Sequence, residues 1–253
     1  MRILLVNDDG FHAPGFEVLR KIAAELSDDV WAVAPATDQS GLSHSITLSH
    51  PLRFTKHGER DFAITGTPTD CVIMGVKEFM PSPPDLILSG VNHGQNAAND
   101  VTYSGTAAGA MEGSILGIRS FALSLRVDWS GERIAYWDTP LKHAPSIINR
   151  TLDIGFDPST FINVNFPDRP ADQVQGEKLV PQGSLDHELS GEHRRDGRGH
   201  SYYWLTFQAG DITSKGDSDI AVLREGYTTI TPMRPDYTDR SALAALSKDW
   251  KQS

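Results

Sequence analysis

Four short, almost uniformly apolar runs mark the first half of the chain, at residues 3–6, 30–34, 86–88 and 121–125. None is long enough for a helix, and none alternates as a strand with one wet face does. Such runs read as strands covered on both faces. Helical patterns lie between them. Phe16, Val18, Leu19, Ile22, Ala23 and Leu26 recur on one face behind Pro14 at a helix start. Thr67-Pro68-Thr69-Asp70 carries an N-cap, a first-position proline and the return half of a capping box. That helix runs into Pro81-Ser82-Pro83-Pro84, and a small-residue helix follows from about 106 to 116. Strands alternating with helices predict an α/β fold with a mostly parallel sheet flanked by helices. Residues 53–56 and 62–65, joined through His57-Gly58-Glu59, add a hairpin.

The second half is less regular. Residues 141–152 read as a helix, 161–166, 202–207 and 228–231 as strands, and 240–250 as a C-terminal helix. Residues 183–200 are polar, rich in Gly, His and Arg, and without periodicity. They read as a loop, or as an arm that a partner must order. With no internal repeat and no clear linker, one domain with an extension is expected over the 253 residues.

The net charge of −10 argues against a nucleic-acid polymer as partner, because a phosphate backbone calls for a basic surface. Small phosphorylated molecules remain open, provided a metal or backbone N–H groups neutralise them. Cys71 is the single cysteine and lies in an apolar run, so it reads as a buried small residue, and no internal disulfide is possible. No signal-peptide pattern and no membrane-length apolar stretch are visible, so the expectation is a cytoplasmic protein with no membrane partner. Neither a P-loop nor a dinucleotide fingerprint is present. Gly41-Leu42-Ser43-His44-Ser45 is not a nucleophile elbow. The histidines at 187 and 193 are too far apart for a helical metal pair.

The most informative stretch is Asn7-Asp8-Asp9-Gly10, directly after the first strand. Two adjacent carboxylates repel. A turn is one reading, since Asp-Gly is a common turn pair. A glycosidase pair is another, but it needs carboxylates about 5–9.5 Å apart on opposite sides of a bond. A divalent-metal site is the third, because a cation cancels the repulsion. In open parallel sheets the loops beyond the carboxyl ends of the strands converge. Ser40 and Asn92 lie in such loops and offer a hydroxyl and an amide oxygen, and an all-oxygen set suits Mg²⁺ or Mn²⁺. Tyr103-Ser104-Gly105-Thr106 then opens the small-residue helix. It reads as an ordinary N-cap or, beside a metal, as an anion site.

These stretches together resemble the SurE (survival protein E) family of nucleotidases. The resemblance is carried by Asn7-Asp8-Asp9-Gly10 with Ala13-Pro14-Gly15, Val33-Ala34-Pro35, Ser40-Gly41, Gly66-Thr67-Pro68-Thr69-Asp70-Cys71 and Ser89-Gly90-Val91-Asn92. Asp100-Val101, Tyr103-Ser104-Gly105-Thr106 and Ala110-Met111-Glu112-Gly113 complete it. Asn163-Val164-Asn165, Glu225-Gly226-Tyr227 and Thr231-Pro232 extend it more weakly. It implies a Rossmann-like core over 1–125, an extension over 126–234 with a hairpin swapped between subunits, and a C-terminal helix over 235–253. It implies a metal-dependent phosphatase for nucleoside 5′- and 3′-monophosphates, and for short polyphosphate. By position, one Mg²⁺ or Mn²⁺ per subunit is held by Asp8, Asp9, Ser40 and Asn92. The phosphate meets Asn96, Ser104, Gly105 and Thr106, and C-terminal exchange gives a homodimer or homotetramer. Two departures are visible: His44 where many members have Asn, and Asn96-Ala97-Ala98-Asn99-Asp100 where many have Asn-Leu-Gly-Asp-Asp.

The corresponding mechanism is metal-assisted hydrolysis in which Asp8 and Asp9 carry the catalytic roles. Direct attack by one of them, forming a phospho-enzyme, ranks lower because a side chain tied to a metal is a hindered nucleophile. His12 reads as a loop histidine, or as a proton donor to the leaving alcohol. From a different class, a non-catalytic nucleotide- or metal-binding regulator would fit the same fold.

Overall fold

Burial on both faces, the property that the apolar runs predict, organises the computed structural model, which describes residues 1–128, 132–213 and 216–250. The chain enters with β1 (Arg2–Val6), α1 (Pro14–Leu26), β2 (Asp29–Pro35) and the hairpin β3 (Phe54–Lys56) and β4 (Asp61–Ile64). It continues through α2 (Pro68–Met74), drawn out by a π-helical turn over Gly75–Phe79, then β5 (Leu86–His93), α3 (Gly105–Ile115) and β6 (Arg119–Leu125). The second half holds α4 (Asp138–Ile154), β7 (Phe161–Phe166), β8 (Glu177–Leu179), β9 (Leu185–Arg195) and β10 (Ser201–Ile212). It ends with α5 (Asp219–Glu225), β11 (Thr228–Met233) and α6 (Arg240–Asp249).

Nine strands form one sheet in the order β3-β4-β2-β1-β5-β6-β7-β11-β8. All of its pairings are parallel except β3–β4 and β7–β11. Successive side chains of β1 enter opposite layers, as the two-residue period requires. Ile3 and Leu5 join Phe16, Leu19 and Ile22 of α1 and Ile147 and Ile148 of α4 on one face. Leu4 and Val6 join Cys71 and Val72 of α2 on the other. The chain builds outward from β1 in one direction through β2, then crosses to β5 on its other side. The crevice beyond the ends of β1 and β5 is therefore the topological switch point, where ligands of open α/β sheets bind.

The sheet does not stop at residue 125. β7, β11 and β8 extend it, so the part expected as an extension contributes strands to the core. Residues 183–200 are also not a loop. β9 and β10 form a separate two-stranded antiparallel sheet, with Ser201 opposite Arg195 and Phe207 opposite Leu189. The region lacks an apolar rhythm because the hairpin stands off the main sheet: residues 190–200 are exposed, as are Tyr203 and Leu205 on the paired strand, at 67% and 85%. Residues 129–131 and 214–215 of the expected extension, and 251–253 at the expected C-terminal helix, lie outside the described residues.

The cap at α2 has both halves. Thr67 Oγ1 accepts the N–H of Asp70 at 3.2 Å, and Asp70 Oδ2 accepts the N–H of Thr67 at 2.9 Å. Thr67→Ala removes the first bond and the hydroxyl's bond to the Ser45 carbonyl. The change should cost about 1 kcal/mol. That is a drop of roughly 2–4 °C in Tm for a chain of this size, with Thr67→Ser restoring most of it. An unchanged Tm in differential scanning calorimetry would contradict the role of this cap.

Candidate active site

The turn after β1 is built around the paired acids. Asn7 is buried, and its amide donates to the Gly10 carbonyl at 2.8 Å. Gly10 takes φ +104°, a value open to glycine but not to a branched residue. The turn is tied to the loop after β2 by Phe11 N–H to the Pro35 carbonyl and by Gln39 N–H to the Asp8 carbonyl, each at 2.8 Å. Asp8 is 4% exposed and Asp9 half-buried.

Three of the expected residues meet at this turn in ways that spacing did not reveal. Thr106 is fully buried, and its hydroxyl donates to Asp8 Oδ1 at 2.5 Å. Its side chain thus supports a carboxylate and does not line the cavity. Gly105 leaves room for the same group: a Cβ there would stand 2.8 Å from Asp8 Cβ and 3.0 Å from Asp8 Oδ2. Ser104 caps α3, its Oγ accepting the N–H of Ala107 at 2.9 Å, and it does border the cavity.

That cavity, of about 280 Å³, is bordered by Asp8, Asp9, Ser40, Asn92, Asn96 and Ser104. Asn92 is not in a loop, as its sequence neighbours imply. β5 continues to His93 past a register shift against β6 between Ser89 and Asn92. The Asn92 amide N–H₂ donates to the Gly94 carbonyl at 2.9 Å, which presents its oxygen as the acceptor. Ser40 is held by Asp38, whose Oδ1 accepts both its N–H, at 2.8 Å, and its hydroxyl, at 2.6 Å. Asn96 is clamped from the far strands. Its N–H donates to Asn165 Oδ1 at 2.8 Å, its amide to Ser124 Oγ at 2.9 Å, and its carbonyl accepts from Asn163 Nδ2 at 2.7 Å. Further along the same wall, Asp219 Oδ2 accepts the Ala98 N–H at 3.0 Å while its Oδ1 takes that of Gly183 at 2.7 Å.

Asp38 and His93 belong to this neighbourhood and were not singled out from the sequence. Only Asp38 left a local trace there, an Asp two places before Ser40 that reads as an Asx turn. His12 is exposed beside Phe11 and His57 and does not border the cavity. His44 reaches Glu112 Oε2 at 2.9 Å and joins the Ser40 loop to α3.

The electrostatics are one-sided. Burial, then the charge of Asp9, lifts the Asp8 carboxyl to about 6, against the opposing bond from Thr106. Burial also raises Asp9, opposed by the His93 N–H at 3.2 Å, while the charge of Asp38 raises it further and that of His93 opposes it. Among the described residues no Lys or Arg borders the cavity. Among the described residues no group of three or more His, Cys, Asp or Glu could cage a metal. The donor set is instead two carboxylates with a hydroxyl and an amide oxygen. That set fits a hard cation such as Mg²⁺, which commonly takes one or two carboxylates and leaves its remaining positions to water and phosphate.

A raised carboxyl pKa binds its proton more tightly in the folded state than in the unfolded one. Its stabilising contribution is therefore present below about pH 4 and lost as pH rises through about 6, a change of about 3 kcal/mol for a shift from 3.8 to about 6. In metal-free protein, Asp8→Asn should become increasingly more stable than the parent as pH is raised from 4.5 to 7.5. A difference between the two that does not vary with pH, in urea unfolding followed at both ends of this range, would show that Asp8 is not a strained buried acid.

Comparison with known proteins agrees with the fold and with the motif order. The family model described as survival protein SurE matches residues 3–188. Proteins named 5′-nucleotidase SurE are similar over nearly their whole length: that of Brucella anthropi is 53% identical, covering 98% of this chain and 96% of its own. That of Brucella canis is 52% identical, covering 97% of each. The crystal structure of the SurE protein from Aquifex aeolicus superposes with a TM-score of 0.81 at 33% identity, covering 98% of this chain and 99% of that one. With the family model spanning most of the chain and relatives above half identity end to end, the chain belongs to the SurE family.

Proposed function

We propose that the chain is a divalent-metal-dependent nucleotidase, hydrolysing nucleoside 5′- and 3′-monophosphates to nucleoside and phosphate, and short polyphosphate as well. The observation that carries this reading is the adjacent Asp8–Asp9 pair, Asp8 buried and Asp9 half-buried, both raised in pKa and with no Lys or Arg among the described residues bordering the cavity, at the switch point of the sheet. The 5′-nucleotidase names of relatives at 52–53% identity support the substrate class.

Asp8 and Asp9 would hold one Mg²⁺ or Mn²⁺, with the oxygens of Ser40 and Asn92 completing the protein's share. Bound there, a divalent cation supplies Lewis acidity toward a phosphate oxygen and lowers the pKa of a water. The chain's own groups prepare the site. Thr106 and the His93 N–H fix the two carboxylates. The first turn of α3 directs N–H groups and the positive end of its dipole toward an anion. Ser104 borders that end, and Asn96, whose side-chain amide donates to Ser124 and whose backbone N–H donates to Asn165, borders the same cavity and would meet the phosphate there. Catalytic proton or nucleophile roles would fall to Asp8 or Asp9 at the end of β1, with His93 and Asp100 also on the cavity wall.

The surroundings support the remaining expectations. Trp204 and Leu205 on β10, and Leu246 and Trp250 on and just past α6, are 60–85% exposed, which suits exchange with a second copy in a homodimer or homotetramer. Among the described residues no helix is long and apolar enough to cross a membrane. A buried free Cys71 suits a reducing cytoplasm. The net charge of −10 suits a small substrate better than a nucleic-acid polymer.

Incubation with 5′-AMP should release phosphate in Mn²⁺ and none in EDTA. A binding regulator would release none in either. Saturating Mn²⁺ should stabilise the fold by ~2.7 kcal/mol at a hundredfold excess over Kd. The corresponding rise in Tm is roughly 5–10 °C. Asp9→Asn should lose both the activity and most of that rise, and an equal metal-induced rise in parent and variant would remove Asp9 from the ligand set.

A further inference from the structure

A second cleft, of about 310 Å³, opens against the other side of the paired acids. Asp9 and His93 border both it and the catalytic cavity, so the two are adjacent. Their chemistry differs. The catalytic cavity is walled by acids, amides and hydroxyls. The second cleft, apart from Asp9 and His93, is walled by Ala13, Pro14, Gly15 and the indole of Trp137.

The indole is anchored against the core. Trp137 is partly buried and packs against the core formed by α1, α4 and the sheet. Its ring lies 5.8 Å from that of His93, tilted by 33°. Gly15 brings bare backbone to the same wall: a Cβ there would stand 1.9 Å from the Val91 carbonyl oxygen and 3.0 Å from Trp137 Cη2. Trp31 donates its indole N–H to Asp29, whereas the Trp137 N–H meets no acceptor among the described residues. A fixed aromatic ring with an unspent donor, next to a phosphate-sized polar cavity, suits a planar ligand with hydrogen-bond acceptors at its edge.

We infer that this cleft is the base subsite, in which Trp137 receives the nucleobase of a nucleoside monophosphate whose phosphate lies against Asp8 and Asp9. The assignment rests on the nucleotidase reading above and adds to it the residue that distinguishes a nucleotide from a simple sugar phosphate. Every base has a π-face, so a stacking subsite accepts all bases and favours purines for their larger area. Base–aromatic stacking of about 1–3 kcal/mol corresponds to a 5- to 150-fold effect on binding.

The test uses the full chain with Mn²⁺ and two substrates, 5′-AMP and ribose 5-phosphate, which differ only in the base. Trp137→Leu keeps apolar bulk against the core and removes the ring, and Trp137→Phe keeps a ring. The preference for AMP, as the ratio of kcat/KM values, should fall about tenfold in Trp137→Leu. It should largely return in Trp137→Phe, and the fall should be larger for AMP than for CMP. Loss of activity in equal proportion on both substrates would mean that Trp137 only supports the fold, and would overturn the assignment. Adenosine binding, followed by calorimetry, decides the matter independently of turnover. It should weaken about tenfold in Trp137→Leu, and unchanged affinity would place the base elsewhere. If the parent hydrolyses neither substrate yet binds adenosine through Trp137, the nucleotidase reading fails and the subsite stands.

Discussion

A carboxylate buried at the end of a strand that is itself covered on both faces is the constraint around which the rest of this molecule is arranged. Asp8 is 4% exposed and has Asp9 as its neighbour in sequence. Removing a charge from water costs several kcal/mol even after relaxation, and a like charge alongside adds to it. The protein offsets this with neutral donors, the Thr106 hydroxyl and the backbone N–H groups of Asp8 and Thr106, and not with a Lys or Arg among the described residues. An arginine would neutralise the acid permanently. A neutral donor holds its orientation and leaves its charge for something that comes and goes. Gly105, just before Thr106, is the complementary feature, because any side chain there would displace Asp8.

Holding such a group in place requires a stiff frame, and the sheet provides it. β1 lies inside the sheet between β2 and β5, with α1 and α4 on one face and α2 on the other. α3 brings its N-terminus onto the end of β1 by packing close: a Cβ on Gly109 would stand 2.8 Å from Ser89 Oγ and 3.0 Å from Val6 Cγ2. The opposite wall is fixed from the second half of the chain. Asn163 and Asn165 on β7 clamp Asn96, and Asp219 at the start of α5 clamps Ala98. Gln182 donates to the Ala98 carbonyl, and Asn99 exchanges two bonds with the backbone of Leu185 at the root of β9. The outlying hairpin and one wall of the cavity are therefore joined through a few hydrogen bonds, each between partners more than 65 residues apart in sequence.

Those bonds explain where sequence reading succeeded and where it stopped. The strands at 3–6, 30–34 and 121–125 were legible because burial on both faces leaves an uninterrupted apolar run. The capping box at Thr67 and Asp70 was legible because it is local. The acids stood out because nothing short of a ligand or a turn explains two adjacent charges at a strand end. By contrast, Ser89-Gly90-Val91-Asn92 reads as a loop although β5 runs through it, because a strand whose register shifts loses its alternation. The hairpin β9–β10 was hidden for the opposite reason: beyond its root at Leu185 its described side chains are largely exposed, so no period is imposed on it.

The sequence by itself determined the fold class, the cap of α2, and the approximate meeting point of Asp8, Asp9, Ser40, Asn92 and Ser104, with Asn96 added by the family resemblance. These follow from burial, backbone capping and the rule that strand ends share an edge, and each of those leaves a mark within a few residues. Only the tertiary structure decided that Thr106 serves Asp8, that the sheet runs on through β7, β11 and β8, and that Trp137 stands beside Asp9. Those relations join partners 98 to 128 residues apart or depend on which strand lies next to which. No local period encodes either, because contact across a sheet is set by strand order and not by spacing along the chain.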